Sequence, residues 1–426
     1  MGMMPLAIGI DIGTSGARAV AMRPDFSIAG HSAVPLDRFG SDGRAPTEWW
    51  QAVKTVLTEL LSGIDRTAVR AIAVDGTSGT LLPVDAAGRP LAEPLMYNDK
   101  VDDDDILAVI ARTAPAASAA HGATSGLAKA LRFQHLPDIA AVLHQADWIA
   151  GNFSGRFDVS DENNALKTGY DVEARRWPEW IAATGMRMEL LPRVAEPGEV
   201  TGALTAEAGE LFGLPRDVAV VAGTTDGCAS FLATGAAAIG DGVTALGSSL
   251  TIKILSDRPI SASRFGIYSH RLGNAWLAGG ASNSGGKVLA QHFPLARIIE
   301  LSAKIDPETD TGLDYYPLPA TGERFPIADP ALPPRLAPRP ADDADYLKAM
   351  FEGIAAIEAL GYGRLAELGA PALISVRSVG GGAANPAWTA IRRRRLGVDF
   401  LPALSDEAAA GTARLALMGA SRAGLL

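Results

Sequence analysis

Residues 8–20 read IGIDIGTSGARAV, and this stretch decides the fold at the start of the chain. Two short apolar runs flank the turn sequence GTSG, so the stretch predicts a β-hairpin. Residues 48–61 follow with apolar side chains at helical spacing. Residues 70–79 (RAIAVDGTSG) then predict a buried strand that ends in a polar, glycine-rich turn. Because the order is hairpin, helix and strand, we expect an α/β fold with a mixed sheet flanked by helices.

The second half of the chain repeats this organisation. Residues 217–227 predict an apolar strand that ends in GTTDG, and residues 240–255 predict a second hairpin with the tip GSS. Residues 372–388 predict a strand, a triple-glycine turn and the start of a helix. The small-residue stretch ATGAAAIGDG suggests a boundary between the halves. We therefore expect two domains, 1–238 and 239–426, which fits a chain of this length.

Composition limits the functional classes. The chain has 426 residues, of which 48% are hydrophobic and 20% charged, which excludes an intrinsically disordered protein. The net charge of −10 disfavours nucleic acid as a partner. A single cysteine, Cys228, excludes a disulfide framework and a multi-cysteine zinc site. The first residues resemble neither a signal peptide nor a membrane span, so we expect a cytoplasmic protein with no membrane partner.

Small residues and carboxylates recur where the predicted strands end. Asp11 precedes the first glycine turn, Asp75 ends the strand before the second, and Asp226 lies within GTTDG. Loops of this kind expose backbone N–H groups and hydroxyls that bind phosphates, and neighbouring carboxylates can hold Mg²⁺ or deprotonate an attacking hydroxyl. Each feature alone also has a structural interpretation, as an ordinary hairpin tip or as an aspartate that caps a turn.

The ordered set of motifs resembles one family. IGIDIGTSGARAV, VDGTSGT, AGTTDG, ALGSS and VGGGAANPAW, in this order, are similar to the FGGY family of carbohydrate kinases, and the tail DEAAAGTARLALMGA is similar to that family's C-terminal helix. The resemblance covers nearly the whole chain. It implies two ribonuclease H-like (actin-like ATPase) domains with an interdomain cleft. In this cleft the enzyme would phosphorylate a sugar, with ATP as the phosphate donor and Mg²⁺ as the cofactor. The same fold leaves open an actin-like nucleotide-binding sensor or assembly protein that transfers no phosphate.

The resemblance also implies roles for single residues, with sugar binding and the catalytic base in the first domain and nucleotide binding in the second. Asp226 matches the general base, and Asp11 matches the aspartate linked to Mg²⁺. The positions that match ATP-binding residues are Gly13, Thr14, Ser15, Gly247, Ser248, Ser249, Gly381, Gly382 and Asn385. The expected sugar contacts are Asp11, Asp75, Ser78, Asn98 and Asp226. The oligomeric state is expected to be a monomer or a homodimer.

Departures from the xylulokinase pattern bear on the sugar. The Met-His-Gly segment of that group is replaced here by Asp75-Gly76-Thr77-Ser78-Gly79, which has no histidine, and its Trp-Asn-Asp becomes Tyr97-Asn98-Asp99. The chain is also shorter than is common in the family. These features resemble the short D-ribulokinase, or xylulose kinase-like, group, in which Asp11, Ser78 and Asp226 would contact the ketopentose. D-ribulose is therefore the preferred acceptor, with D-xylulose or a polyol as alternatives.

Two further motifs are interpreted first as structural features. Residues 280–287 (GASNSGGK) resemble a phosphate-binding P-loop but lack its spacing, which favours a structural or cleft-lining loop and leaves an ATP contact open. The basic run at residues 392–395 is typical of a solvated helix face.

Overall fold

The computed structural model describes residues 4–40 and 43–426 of the chain. Its strands are β1 Leu6–Ile12, β2 Gly16–Met22, β3 Ile28–Pro35, β4 Val69–Gly76, β5 Leu81–Val84, β6 Ala141–His144, β7 Val159–Asp161, β8 Arg193–Ala195, β9 Val200–Ala203, β10 Ala219–Thr225, β11 Asp241–Leu246, β12 Leu250–Ser256, β13 His270–Leu272, β14 Ala275–Ala281, β15 Ser375–Val379 and β16 Asp399–Leu401. Its helices are α1 Pro46–Ser62, α2 Asp104–Thr113, α3 Gly126–Phe133, α4 Gln145–Ser154, α5 Glu162–Ala165, α6 Glu179–Ala182, α7 Ala206–Phe212, α8 Asp226–Ala233, α9 Gly286–His292, α10 Leu295–Ser302, α11 Asp343–Glu367, α12 Pro386–Leu396 and α13 Ala408–Arg422. The predicted hairpins, strands and helices are thus present, and the α/β fold class is confirmed.

The chain divides into two compact units. The first unit extends to Ala233 and also includes His270–Gly273 and Glu407–Leu426. The second unit comprises Thr234–Ser269 and Asn274–Asp406. Packing therefore groups the chain differently from two continuous halves that meet at 238/239, because the last helix belongs to the first unit.

The sheet of the first unit has the order β3-β2-β1-β4-β10-β9. The hairpin strands β1 and β2 pair antiparallel, whereas β1, β4 and β10 run parallel to one another. Parallel neighbours share one carboxyl edge, and loops at that edge form the usual ligand sites of α/β sheets. The glycine turns after β1 and β4 and the start of α8 all lie at this edge.

Helix α13 lies against β1, β4 and β10 through small side chains. An alanine-rich cluster joins them, with Ala409, Ala413 and Ala416 fully buried. A Cβ atom on Gly9 would lie 2.1 Å from the backbone nitrogen of Ala413, so the strand tolerates no side chain there. The alanines and glycines of the C-terminal tail are therefore required by the close approach of helix and sheet.

The second unit repeats this strand arrangement. Its strands lie in the order β14-β12-β11-β15-β16, with the hairpin strands antiparallel and β11, β15 and β16 parallel. This order and these directions match β3-β2-β1-β4-β10 of the first unit. The hairpin tips of both units therefore occupy equivalent places, and the internal duplication is confirmed at the level of topology.

The expected solvated helix face is present for the arginines at 393–395, which are exposed, but the expectation is wrong for Arg392. Arg392 is fully buried in the second unit, and its guanidinium binds Glu358 through two hydrogen bonds of 2.6 and 2.7 Å. The hydroxyl of Thr244 also donates to this carboxylate at 2.6 Å. The planar guanidinium of Arg392 donates to both oxygens of the Glu358 carboxylate, which has no access to water. An arginine on a solvated helix face would not need such a buried partner.

Two further observations concern the cysteine and the length of the helices. Cys228 lies in α8 and is fully buried. Among the described residues, every helix is too short or too polar to cross a membrane.

Candidate active site

Three carboxylates come together at the carboxyl edge of the first sheet. The ladder between β1 and β4 places Asp11 directly opposite Asp75, and the ladder between β10 and β4 places Thr224 opposite Asp75. Asp226 follows two residues after Thr224, as the first residue of α8. The parallel register therefore brings together the three aspartates that the sequence singled out at strand ends.

The surroundings of Asp11 and Asp75 differ in charge. Asp11 is 5% exposed and accepts a hydrogen bond of 3.0 Å from Nη1 of Arg18 on β2. Burial raises the pKa of Asp11, whereas Asp75 and Arg18 act to lower it. Asp75 is completely buried, and burial together with the charge of Asp11 raises its pKa well above the usual range. Asp75 therefore holds a proton more readily than Asp11, so Asp11 is the first of the two to ionise as the pH rises.

A residue from the far end of the sequence completes this cluster. Thr412 on α13 donates a short hydrogen bond through Oγ1 to Oδ2 of Asp75. The other oxygen, Oδ1, is buried without a hydrogen-bond donor among the described residues. A proton on that oxygen would let Asp75 donate to Asp11 and so fix the orientation of both groups.

Asp226 is half-buried at the N-terminal end of α8. Its Oδ1 accepts a hydrogen bond of 2.6 Å from the backbone N–H of Gly227. A carboxylate in the first turn of a helix is favoured by the helix dipole. The preceding Gly223 allows β10 to approach β4, because a Cβ atom there would lie 1.7 Å from the carbonyl oxygen of Val74.

The turn after β4 carries Ser78, and a neighbouring turn carries Asn98. The Ser78 hydroxyl is hidden from solvent and has no hydrogen-bond partner among the described residues. Asn98 is exposed, and its turn is joined to the first turn by a hydrogen bond of 3.1 Å from the backbone N–H of Tyr97 to Oγ1 of Thr80. The two predicted sugar-contact turns are thus adjacent in the first unit.

The first glycine turn is open at its tip. Gly13 donates through its backbone N–H to the carbonyl of Gly16 at 3.0 Å, and Thr14 and Ser15 are exposed. Arg18 lies beside this turn, since a Cβ atom on Gly13 would be 3.9 Å from its Nη1. The turn therefore offers hydroxyls close to a guanidinium, a combination that suits phosphate oxygens.

The second unit has an equivalent tip at Gly247, Ser248 and Ser249, between β11 and β12. The P-loop-like segment packs on it: Gly286 and Lys287 donate through their backbone N–H groups to the carbonyls of Gly247 at 2.8 Å and Ser248 at 3.0 Å. The segment is thus structural, and it also lines an open groove with a volume of about 270 Å³. The groove residues are Ser248, Ser249, Asn283, Lys287, Pro319, Ala320, Thr321 and Gly322.

The triple-glycine turn packs beneath the same hairpin. Gly380 has a positive φ of 82°, and a Cβ atom on Gly382 would lie 2.6 Å from the ring of Trp388. Asn385 caps α12, since its Oδ1 accepts from the N–H of Trp388 at 3.0 Å, while its Nδ2 donates to Ser302 at 2.7 Å. Two of the hydrogen-bonding positions of the Asn385 amide are therefore used within the protein, and its contact with a base stays a prediction.

Several residues of the site were not predicted from the sequence. Arg18 could have been found, because hairpin pairing places it opposite Asp11. Gln145 accepts at 3.2 Å from the N–H of Thr77, and Lys129 donates to the carbonyl of Gly79 at 2.7 Å, but neither lies in a recognisable motif. Thr412 is brought in by the packing of α13, for which sequence spacing gives no signal.

Comparison with known families agrees with this arrangement. The model of the FGGY family of carbohydrate kinases, N-terminal domain, matches residues 6–102 and 132–233, and the model of the C-terminal domain matches residues 242–420. The chain therefore belongs to the FGGY family of carbohydrate kinases. It is a sugar kinase, and the family implies ATP as its cosubstrate.

Individual relatives cover almost the full chain. The xylulose kinase of Escherichia coli (strain K12) is 25% identical over 455 residues, which cover 97% of this chain and 90% of that protein. The xylulose kinase structure from Rhodospirillum rubrum is similar with a TM-score of 0.81 at 24% identity, over 97% of this chain and 90% of that one. A gluconate kinase structure from Lactobacillus acidophilus has a TM-score of 0.82 at 16% identity, over 100% and 90%. At these identities the solved structures establish the actin-like kinase fold and leave the acceptor undecided.

Proposed function

We propose that the protein transfers the γ-phosphate of ATP to a hydroxyl of a ketopentose, with D-ribulose as the preferred acceptor and D-ribulose 5-phosphate as the product. The observation that carries this proposal is the carboxyl edge of the first sheet. There Asp11, Asp75 and Asp226 adjoin the turn of Ser78, whose hydroxyl is buried without a protein partner. A hidden hydroxyl that lacks a partner is accounted for by a ligand hydroxyl or by water.

Asp226 is the proposed general base. In this role its carboxylate takes the proton of the attacking hydroxyl while that oxygen bonds to the γ-phosphorus, and the bond to the β,γ-bridging oxygen breaks in line. The hydrogen bond from Gly227 orients the carboxylate, which favours one direction of approach. Phosphoryl transfer asks for positioning and charge neutralisation more than for covalent chemistry by the protein.

Asp11 is the proposed link to Mg²⁺. Among the described residues, no group of three histidine, cysteine or acidic side chains is arranged to hold a metal ion. This fits Mg²⁺ bound to a nucleotide, which keeps several waters and takes only one or two carboxylates from the protein. The carboxylate of Asp11 suits that task, and the metal would neutralise charge on the phosphates when bound.

The remaining phosphate contacts are proposed from both glycine turns. Thr14 and Ser15 supply exposed hydroxyls in the first unit, with Arg18 beside them. In the second unit, Ser248 and Ser249 share their groove with Lys287, the basic side chain of the groove lining. A cation beside a hydroxyl-lined loop is a common solution for polyphosphate binding, so we add Lys287 to the proposed ATP contacts.

The choice of sugar depends on the turn after β4. The segment lacks the histidine expected of a xylulokinase, and Ser78 in this segment would offer the sugar a short hydroxyl donor and acceptor where that group has an imidazole. D-ribulose and D-xylulose differ in the configuration of one hydroxyl. A change of partner at a single buried contact can therefore invert the preference between them.

D-xylulose is the second candidate. It is favoured by the relative from Escherichia coli, a xylulose kinase that aligns with 97% of this chain.

A coupled ADP-release assay tests the proposal. The purified protein is supplied with ATP, Mg²⁺ and, one at a time, D-ribulose, D-xylulose, L-ribulose, ribitol, xylitol and glycerol. The highest kcat/KM is expected for D-ribulose. Turnover of D-xylulose without turnover of D-ribulose would reject the preferred acceptor, and failure of every ketopentose would reject the proposed substrate class.

A further inference from the structure

Lys129 is a buried cation in the first unit, outside the groups used above for phosphoryl transfer. It lies on α3, and its relative exposure is 0%. Its ammonium donates hydrogen bonds of 2.7 Å to the carbonyl of Gly79 and of 2.7 Å to the carbonyl of Met96. It forms no ion pair with any carboxylate in the described part of the chain. A lysine is rarely buried in this way, so the position needs a physical explanation.

The two carbonyls belong to the two turns of the candidate sugar site. Gly79 directly follows Ser78, and Met96 precedes Asn98 by two residues. The segments also pair through two backbone hydrogen bonds between Leu81 and Leu95, of 3.0 and 2.9 Å. The backbone of Tyr97 then donates to the Thr80 side chain.

The Lys129 ammonium joins the two segments beyond the point where their backbone pairing ends. Beyond Thr80, the first segment forms its turn around Ser78 and the second forms its turn around Asn98. At this point the two backbones share a common donor, the Lys129 ammonium, in place of direct hydrogen bonds. One side chain therefore bridges the two turns, in addition to the hydrogen bonds of Leu81, Leu95 and Tyr97.

The electrostatic surroundings of Lys129 show which effects act on its charge. Burial lowers the pKa of Lys129 to about 8, and the negative charge of Asp99 opposes this effect. Asp99 is itself bound to Arg44 and accepts from the N–H of Met96 at 2.8 Å. An apolar side chain of similar length would fill the same space but would leave the carbonyls of Gly79 and Met96 without this donor, so the ammonium is explained by the hydrogen bonds that it gives to the two turns.

We propose that Lys129 is a positioning residue for the acceptor sugar: it fixes the spacing between the Ser78 turn and the Asn98 turn. The inference rests on the proposed sugar site and adds a residue that touches the protein backbone and not the sugar. Loss of this link is expected to weaken sugar binding while ATP binding, which uses other groups, is preserved.

The test uses Lys129→Met in the full-length protein, with steady-state kinetics for both substrates. The KM for the ketopentose should rise about tenfold or more, a loss of about 1.4 kcal/mol in binding free energy if KM follows Kd. The KM for ATP should stay within twofold. The matched control is Lys348→Met in the second unit, which also removes a buried ammonium, one that donates to Thr309 at 2.7 Å. The control should leave the KM for the sugar unchanged.

A second variant covers the case in which Lys129→Met does not fold. Thr80→Val removes the acceptor of the Tyr97 N–H but leaves Lys129 in place, and it should raise the KM for the sugar in the same direction by a smaller factor. An unchanged sugar KM in a folded Lys129→Met protein, or in Thr80→Val if the first variant is unfolded, overturns the inference. A parallel rise in the KM for ATP also overturns it, because that pattern indicates a general structural defect.

The proposed function can fail separately. If the wild-type protein releases no ADP with any ketopentose, the substrate class is wrong, and hydrogen exchange then decides the role of Lys129. The backbone amides of residues 77–81 and 95–99 should exchange faster in the variant, while those of the second unit keep their wild-type rates. If the amides of both turns exchange at the same rate in the variant and in the wild-type protein, the positioning role is overturned whatever the acceptor is.

Discussion

Removal of the Lys287 charge tests the phosphate groove of the second unit. The side chain is exposed on the groove that contains Ser248 and Ser249, and it forms no ion pair with the described residues. Its backbone N–H is held by the carbonyl of Ser248 at 3.0 Å, so Lys287→Ala keeps the loop and removes only the charge and the stem. The variant therefore isolates an electrostatic contribution.

The magnitude follows from the exposure of the side chain. Two unit charges about 4 Å apart attract by ~1 kcal/mol in water and by ~4 kcal/mol at an effective dielectric constant of about 20. Because Lys287 is exposed, we take the lower part of this range, ~1 to 2 kcal/mol. The Kd for ATP should then rise by about 5-fold to 30-fold. Salt should reduce the difference, because exposed charges are screened.

Calorimetry with the nucleotide at low and high ionic strength measures this effect. The control is Lys304→Ala, which also removes a lysine charge from the second unit, but one that pairs with Glu300 on a helix surface at 2.9 Å. The control should leave nucleotide affinity within twofold. Equal affinity of the wild-type and Lys287→Ala proteins at low salt would refute the assignment of the groove to the phosphates.

Three other perturbations have defined outcomes. Asp226→Asn should lower kcat by roughly 10²-fold to 10⁴-fold, the usual contribution of a general base, with calorimetric ATP affinity unchanged; a lost affinity contradicts the assigned role. Burial raises the pKa of Glu162 from 4.5 to about 7, against the effect of Arg175. The folded protein therefore binds the Glu162 proton more tightly than the unfolded chain does. The stability that this difference contributes is lost as the pH rises from about 4.5 to about 7. The wild-type Tm should therefore fall relative to Glu162→Gln between pH 5 and 8, and parallel Tm curves would contradict this. Arg392→Met should destabilise the protein by about 3 to 5 kcal/mol, because it leaves Glu358 buried without its partner, whereas Arg393→Met on the exposed side of the same helix should change the unfolding transition little.

The parts of the fold that were predictable depend on local pattern. The hairpin at residues 8–20 was evident because two apolar runs flank a glycine turn, and turn geometry and alternation are properties of adjacent residues. The strand ends at Asp75 and Asp226 were evident for the same reason. Parallel register then made their proximity a consequence of topology, since the carboxyl ends of such strands meet at one edge.

Contacts between distant segments were not predictable in this way. Thr412 lies 337 positions from Asp75 in the sequence, and only the packing of α13 on the sheet joins them. The arginine run carries no local feature that distinguishes Arg392 from its neighbours, because burial depends on where Glu358 lies on α11. Lys129 has the same difficulty: its partners are two backbone carbonyls, which leave no trace in the identity of any side chain.

The charges at the carboxyl edge bear on how an acidic protein can use an anionic cosubstrate. Three carboxyl groups at one edge of the sheet would repel a γ-phosphate if all of them were ionised and uncompensated. The surroundings limit this repulsion, because Arg18 balances Asp11 and the raised pKa of Asp75 favours its neutral form. Asp75 then acts through its shape and hydrogen bonds, with Thr412 on one oxygen, and its charge contributes little. The net charge of −10 is therefore no obstacle to the proposed reaction, since the local balance at this edge decides whether a phosphate can approach.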